Sequence, residues 1–146
     1  MAQSSSTFAL GVYRRTALDT LPEVYALTCI GHGMEPEIAD GAVLVFDKVA
    51  VVRSGDFVVV WRRPDLLPAG EALGAVRRVV IGPPPGAAFP LPRTSNEADT
   101  PSVLVERLNP KRSYSIVGTE VAGLHRCVGT TERDYHEQAL LPAVEL

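Results

Sequence analysis

Short apolar runs, separated by glycine and proline turns, recur along the whole chain. Runs of β-branched and aromatic residues with alternating polarity are typical of strands, and a helical repeat of useful length is missing. Turns are predicted at Asp40-Gly41 and Ser54-Gly55-Asp56. The pattern therefore predicts a mainly β, clip-like or barrel-like fold with short strands and little helix. The predicted strands are 24–30, 42–47, 57–61, 72–81, 103–108, 114–117 and 119–124.

The 146 residues suit a single domain with a sizeable core. We predict an N-terminal arm at 1–22, a folded domain at 23–128 and a C-terminal tail at 129–146. The arm carries Arg14, Arg15 and several serines, so a transit peptide and a simple leading segment are both open interpretations. The tail ends in the apolar segment 139–146, which could pack on the domain or pair with another chain.

Composition argues against several function classes. The net charge of −3 gives no general attraction for nucleic acid, and a run of about 18 apolar residues, as a membrane span requires, is missing. Upstream of residue 30 there is no room for a helix-turn-helix domain. Cys29, Cys127 and the histidines lack metal-type spacing, so we expect no metal or cofactor. The two thiols fit a reducing compartment, with a disulfide between them as the alternative.

The most informative segment is 31–47, which reads GHGMEPEIADGAVLVFD. It resembles the nucleophile motif of the LexA-like and signal-peptidase-like serine peptidases, with Met34, Pro36, Asp40 and Gly41 in register. Weaker likenesses follow at 55–58 and 114–121, so the resemblance covers about residues 24–126. It implies a LexA-like peptidase domain and places Gly33 where the family has its catalytic serine, at the exposed start of a turn.

The resemblance also implies a second altered position. Family members use a lysine as the general base, and the matching stretch 75–80 has Arg77 there. Arginine does not lose its proton in proteins, and glycine has no side chain to attack with. Lysines occur only at 48 and 111, outside this stretch. We therefore expect no catalytic residues and no peptidase activity.

Some residues have two interpretations. His32 replaces the aspartate of the motif and fits a solvent-facing loop better than rescue chemistry. Val58 and Trp61 belong either to the core or to a groove that holds a peptide as an added strand. The pairs Arg62-Arg63 and Arg77-Arg78 fit solvated strand edges, which the acidic total favours, or a phosphate-binding patch. The motif and groove set is His32, Met34, Pro36, Asp40, Gly41, Val58 and Trp61.

These observations favour an inactive LexA-like protein in the cytoplasm that regulates through protein contact. The resemblance implies self-association, and the apolar tail supports a homodimer formed by the closing strands and the C-terminal segment. We expect neither direct nucleic acid binding nor a membrane partner. Two alternatives remain: an active serine-type peptidase with a different nucleophile, and an accessory subunit of a larger assembly.

Overall fold

The described part of the chain contains eight β-strands joined by turns and loops. The computed structural model describes residues 21–67, 72–91, 101–132 and 144–146. Within these ranges the only helical pieces are short 3-10 turns at Pro64–Leu66 and Gly118–Glu120. The prediction of a mainly β fold with short strands is confirmed. The strands are β1 Val24–Ile30, β2 Val43–Asp47, β3 Phe57–Arg62, β4 Gly74–Ile81, β5 Ser102–Leu108, β6 Lys111–Val117, β7 Val121–Thr131 and β8 Val144–Glu145.

The strands form one mixed sheet that closes on itself. The order is β3-β7-β2-β1-β8-β4-β5-β6, and a further pairing joins β3 to β4. This pairing closes six strands into a ring, with the β5–β6 hairpin extending from β4. Closure removes the free sheet edges that β3 and β4 would otherwise present.

A first core fills the inside of the ring. Alternate residues of a strand point to the same face, so each ring strand contributes every second side chain. β1 contributes Tyr25, Leu27 and Cys29, while β3 contributes Val59 and Trp61. Met34 and Leu146 complete this core from outside the regular strands, each 1% exposed or less.

A second core lies between the outer face of β3 and β4 and the β5–β6 hairpin. The intervening residues of β3, Val58 and Val60, point to this side. They pack with Val79 of β4, with residues of the hairpin and with Leu124 of β7. The continuous apolar run of β3 is explained by this arrangement, because both of its faces are buried.

The C-terminal part of the chain differs from the predicted strand pattern. β7 extends over eleven residues, from Val121 to Thr131, because its first part pairs with β3 and its later part with β2. Thr119, predicted in a strand, lies in the 3-10 turn instead. β8 is an additional strand within the predicted tail, and its pairing with β1 and β4 makes it part of the domain. The predicted arm, except Leu21 and Pro22, and residues 133–143 lie outside the described residues.

Candidate functional site

The motif segment forms a compact turn between β1 and β2. The Gly31 amide donates to Asp40 Oδ1 at 2.7 Å, and the Gly41 amide donates to the Cys29 carbonyl at 2.8 Å. Gly31 has a φ of 115° and Gly41 a φ of 87°, values that favour glycine. Asp40 and Gly41 therefore have structural reasons to occupy their motif positions.

Apolar motif residues fix the turn onto the first core. Met34 is fully buried and Ile38 is 8% exposed, and the Ile38 amide donates to the Met34 carbonyl at 2.9 Å. Pro36 and His32 are exposed. His32 Nδ1 lies 3.0 Å from Glu35 Oε2, and this hydrogen bond raises the pKa of His32. His32 is thus paired at the surface, as expected of a loop histidine.

Gly33 is buried, contrary to the expectation that it lies at the exposed start of the turn. A Cβ atom at this position would lie 2.5 Å from Arg107 Nε and 2.5 Å from the Leu146 carbonyl oxygen. Contacts this short do not occur for real Cβ atoms, so a side chain at residue 33 requires its neighbours to move. The Gly33 carbonyl accepts hydrogen bonds from the Leu108 and Asn109 amides, each at 2.9 Å, which holds the backbone in place.

The neighbour of Gly33, Leu146, directly follows β8, a strand that the sequence did not clearly predict. β8 lies between β1 and β4 and runs parallel to both. Its residues pair with Cys29, Ile30 and Ala75, and the Leu146 amide donates to the Ile30 carbonyl at 2.7 Å. We call the space between β1 and β4 that residues 144–146 occupy the slot. Within this structure the slot is filled by the chain itself.

Arg77 lies on the other side of the slot and is fixed by three partners. Its side chain is 7% exposed. Nε donates to the Tyr114 hydroxyl at 2.8 Å, one terminal nitrogen donates to the Val76 carbonyl at 2.7 Å, and the other lies 3.5 Å from Glu145 Oε1. Gly33 and Arg77 therefore flank the same short strand, with Gly33 against Leu146 and Arg77 against Glu145.

The two lysines have other surroundings. Lys48 Nζ donates to the Leu21 carbonyl at 3.0 Å, while Lys111 begins β6 and is exposed. Among the heavy atoms around a Cβ on Gly33, the three nearest belong to the Arg107 guanidinium and to the main chain of Leu146. In the described residues, the immediate surroundings of residue 33 are therefore a charged side chain and main-chain atoms.

Val58 and Trp61 are fully buried and point into the two different cores. Of the two interpretations of these residues, the structure supports the core. The ring of Trp61 packs on Gly74, where a Cβ atom would come within 2.5 Å of it. Trp61 Nε1 donates to the Tyr25 hydroxyl at 3.0 Å, and that hydroxyl lies 2.5 Å from His125 Nδ1. Burial lowers the pKa of His125 to about 4 and raises that of Tyr25.

An arginine-lined cavity beside the slot is a feature that sequence reasoning found only in part. It has a volume of 490 Å³ and is lined by Arg62, Arg77, Arg107 and Arg112, together with Tyr114 and Glu145. The sequence pointed to basic pairs at 62–63 and 77–78, of which only the first member of each lines the cavity. Arg107 and Arg112 each lie two positions from an apolar residue on the same face of their strand. A charged residue that interrupts such an apolar pattern was the signal in the sequence that could have pointed to the cavity.

Both cysteines are free thiols. Burial raises the pKa of Cys29 to about 12 and also raises that of Cys127. In the described ranges, no three histidine, cysteine, aspartate or glutamate side chains come together in a way that could hold a metal ion. Nor do those ranges contain a helix with the length and apolar character needed to cross a membrane.

Comparison with protein families agrees with the motif. The sequence model of the family described as Peptidase S24-like matches residues 5–67, a stretch that contains Gly33 and ends before Arg77. No curated protein and no solved structure shows significant similarity to the chain. The predicted resemblance to LexA-like peptidases is confirmed, and the mainly β architecture is consistent with an S24-like domain.

Proposed function

Starting from this S24-like peptidase fold, we propose that the chain is a catalytically inactive regulatory protein that binds protein strands in the slot. In this proposal it acts in the cytoplasm, and its first partner is a second copy of itself. The observation that carries the proposal is the position of residues 144–146, which lie as an extended strand between β1 and β4.

The loss of catalysis is supported at both positions of the expected dyad. Residue 33 offers no nucleophile, and its surroundings leave no space for one while Leu146 is in place. Arginine does not act as a general base in proteins, and Arg77 already donates to Tyr114 and Val76. A serine at residue 33 would therefore meet both a blocked site and a missing base.

Binding of a strand is supported by the way β8 is held. Main-chain pairing on both sides supplies affinity that is independent of sequence, while alternate side chains supply selectivity. Val144 and Leu146 are almost fully buried, whereas Glu145 between them is partly exposed and faces Arg77. The slot is thus suited to an extended apolar–acidic–apolar segment.

A second copy of the chain is the partner that this slot fits most directly, because it carries the same segment. Exchange of β8 between two copies would preserve every contact of the slot and produce a symmetric homodimer. β8 contains only two residues, so few hydrogen bonds oppose its release. A foreign strand with the same pattern would compete for the same position.

The alternative of an active peptidase with another nucleophile gains no specific support from the site. The nearest groups to Gly33 are a guanidinium and a backbone carbonyl. If the chain is instead an accessory subunit of a larger assembly, the slot would bind a strand from another protein of that assembly. The binding site would be the same as in the proposal.

The proposal is tested with a shortened chain that ends at Glu132 and therefore leaves the slot empty. A dye-labelled peptide with the sequence of residues 139–146 is titrated into it and followed by fluorescence anisotropy. The matched control peptide carries Val144→Asp and Leu146→Asp. We expect saturable binding of the first peptide alone, and tighter binding to the shortened chain than to the intact one. Equal binding of both peptides, or binding of neither, would refute the proposal.

A further inference from the structure

Three arginines lie side by side across neighbouring strands at the edge of the second core. Arg107 of β5 pairs directly with Arg112 of β6, and the register that pairs Arg78 with Glu106 places Arg77 beside Arg107. Arg62 joins them from β3, and all four line the same 490 Å³ cavity. Residues two apart on a strand share a face, so each of these arginines lies on the same face of its strand as apolar residues of the second core. These apolar residues are Val60 on β3, Val79 on β4, Val105 on β5, and Tyr114 and Ile116 on β6.

The charges in this cavity are only partly compensated. Glu120 lies 3.7 Å from Arg62 and Glu145 lies 3.5 Å from Arg77. In the described part of the chain, Arg107 and Arg112 form no ion pair, although they face each other across the hairpin. Like charges directly opposite on paired strands repel. Two guanidinium groups without an ion-pair partner among the described residues therefore lie on directly paired positions of the hairpin, in a protein whose net charge is −3.

Arg107 also has an unsatisfied donor. Its Nε is buried and finds no hydrogen-bond partner among the described residues. Burial of an unpaired polar group is unfavourable, so such a group in a native structure calls for an explanation. A ligand in the cavity that accepts hydrogen bonds from the terminal nitrogens of this guanidinium would offset the repulsion, whereas Nε itself lies against Gly33 and Leu146.

Tyr114 offers a further donor. Its hydroxyl oxygen accepts a hydrogen bond from Arg77 Nε at 2.8 Å, so the hydroxyl proton points elsewhere. It has no acceptor within the part of the chain that the structure describes. The cavity volume lies in the range of small-molecule sites, roughly 300–1,000 Å³. The wall of the cavity thus presents guanidinium groups and a hydroxyl donor to the same space.

We propose that this cavity binds a small molecule through a phosphate group, held between Arg107 and Arg112. A phosphate monoester carries a charge of about −1.5 to −2 near pH 7, which matches two unpaired guanidinium groups. Guanidinium groups also bind phosphate oxygens in a forked geometry. A monocarboxylate would leave one of the two positive charges without a partner.

The test is isothermal titration of the full-length chain at constant ionic strength. The probes are inorganic phosphate and phenyl phosphate, which distinguish a free anion from an ester, with acetate as the monoanionic control. We expect saturable binding of at least one phosphate probe, with acetate at least tenfold weaker. Phosphate binding no tighter than acetate binding would overturn the proposal.

Single-residue variants distinguish binding of phosphate in this cavity from a general attraction of anions to the protein. Arg107→Gln and Arg112→Gln should each weaken phosphate binding at least tenfold, whereas Arg53→Gln changes the net charge equally and should leave it unchanged. Arg53 is exposed and lies outside the cavity, and Arg112 is also exposed, so both variants should fold. Equal losses in Arg112→Gln and Arg53→Gln would contradict the site, even if Arg107→Gln fails to fold.

Discussion

The carbonyl oxygen of Leu146 lies 2.5 Å from the point where Gly33 would carry a Cβ atom. The motif resemblance aligns residue 33 with the serine of the family, and in our proposal the chain's own C-terminal segment covers that position. Absence of a side chain at residue 33 is thus a packing requirement of the described structure. Gly33 and β8 form one structural unit.

Gly33→Ala should destabilise the protein. The added methyl group overlaps the Leu146 backbone and Arg107 Nε, and only the arginine can move easily. Forcing extra atoms into a packed site costs about 1–3 kcal/mol. Urea unfolding measures the loss, with Gly129→Ala as the matched control, because a Cβ there meets nothing within 4 Å. Equal stabilities of the two variants would show that residue 33 tolerates a side chain.

We expect no self-cleavage between pH 7 and pH 10. In a Ser–Lys peptidase, alkaline pH promotes reaction by deprotonating the lysine, but residue 77 is an arginine, which does not act as a general base in proteins. Intact mass measured after prolonged incubation checks this. Cleavage that a serine-directed reagent blocks would mean that another nucleophile acts in the site.

Sedimentation should show a homodimer of the intact chain at tens of micromolar. In the described structure Val144 and Leu146 are buried within their own chain, so the dimer we propose depends on exchange of β8. A chain ending at Glu132 should sediment as a monomer. A dimer that survives the truncation would move the interface to the other strands, and an intact monomer would rule out self-association.

Acid should destabilise the fold through His125. Its pKa is about 4 in the folded protein and about 6.5 when unfolded, because burial disfavours the charged ring. The unfolded chain therefore binds the proton more tightly, and stability is lost as the pH falls from about 6.5 towards 4. The linkage amounts to about 3 kcal/mol at most.

Urea midpoints at pH 7.5 and pH 5 measure this effect. His125→Gln should reduce the difference between the two midpoints, although it also removes the contact with Tyr25. His32→Gln is the control, since His32 is exposed and its pKa is raised instead. An unchanged difference in His125→Gln would assign the acid sensitivity to other groups.

Local sequence patterns were sufficient for much of the fold. The β-rich run of β1 and the continuous apolar run of β3 correspond to strands, and the apolar run of β3 reflects burial of both of its faces. The turn at Asp40-Gly41 could be predicted because it requires a positive φ at residue 41, which glycine adopts readily. These features depend on neighbours in sequence, so they are readable without the structure.

Features that depend on long-range contacts were less predictable. β8 is only two residues long, and its place between β1 and β4 is decided by contacts with residues far away in sequence. The burial of Gly33 follows from β8 and was therefore missed as well. Arg107 and Arg112 become neighbours only through hairpin register, which a single sequence indicates weakly.

The most direct test of the occupied slot is a thermodynamic cycle. The cost of Gly33→Ala is measured by urea unfolding in the intact chain and in the chain ending at Glu132, where the Leu146 carbonyl is absent. Residues in contact show coupling, and independent sites add. If β8 covers residue 33, the cost should fall in the shortened chain by about 1 kcal/mol or more. An equal cost in both chains would mean that Leu146 does not cover residue 33 in solution.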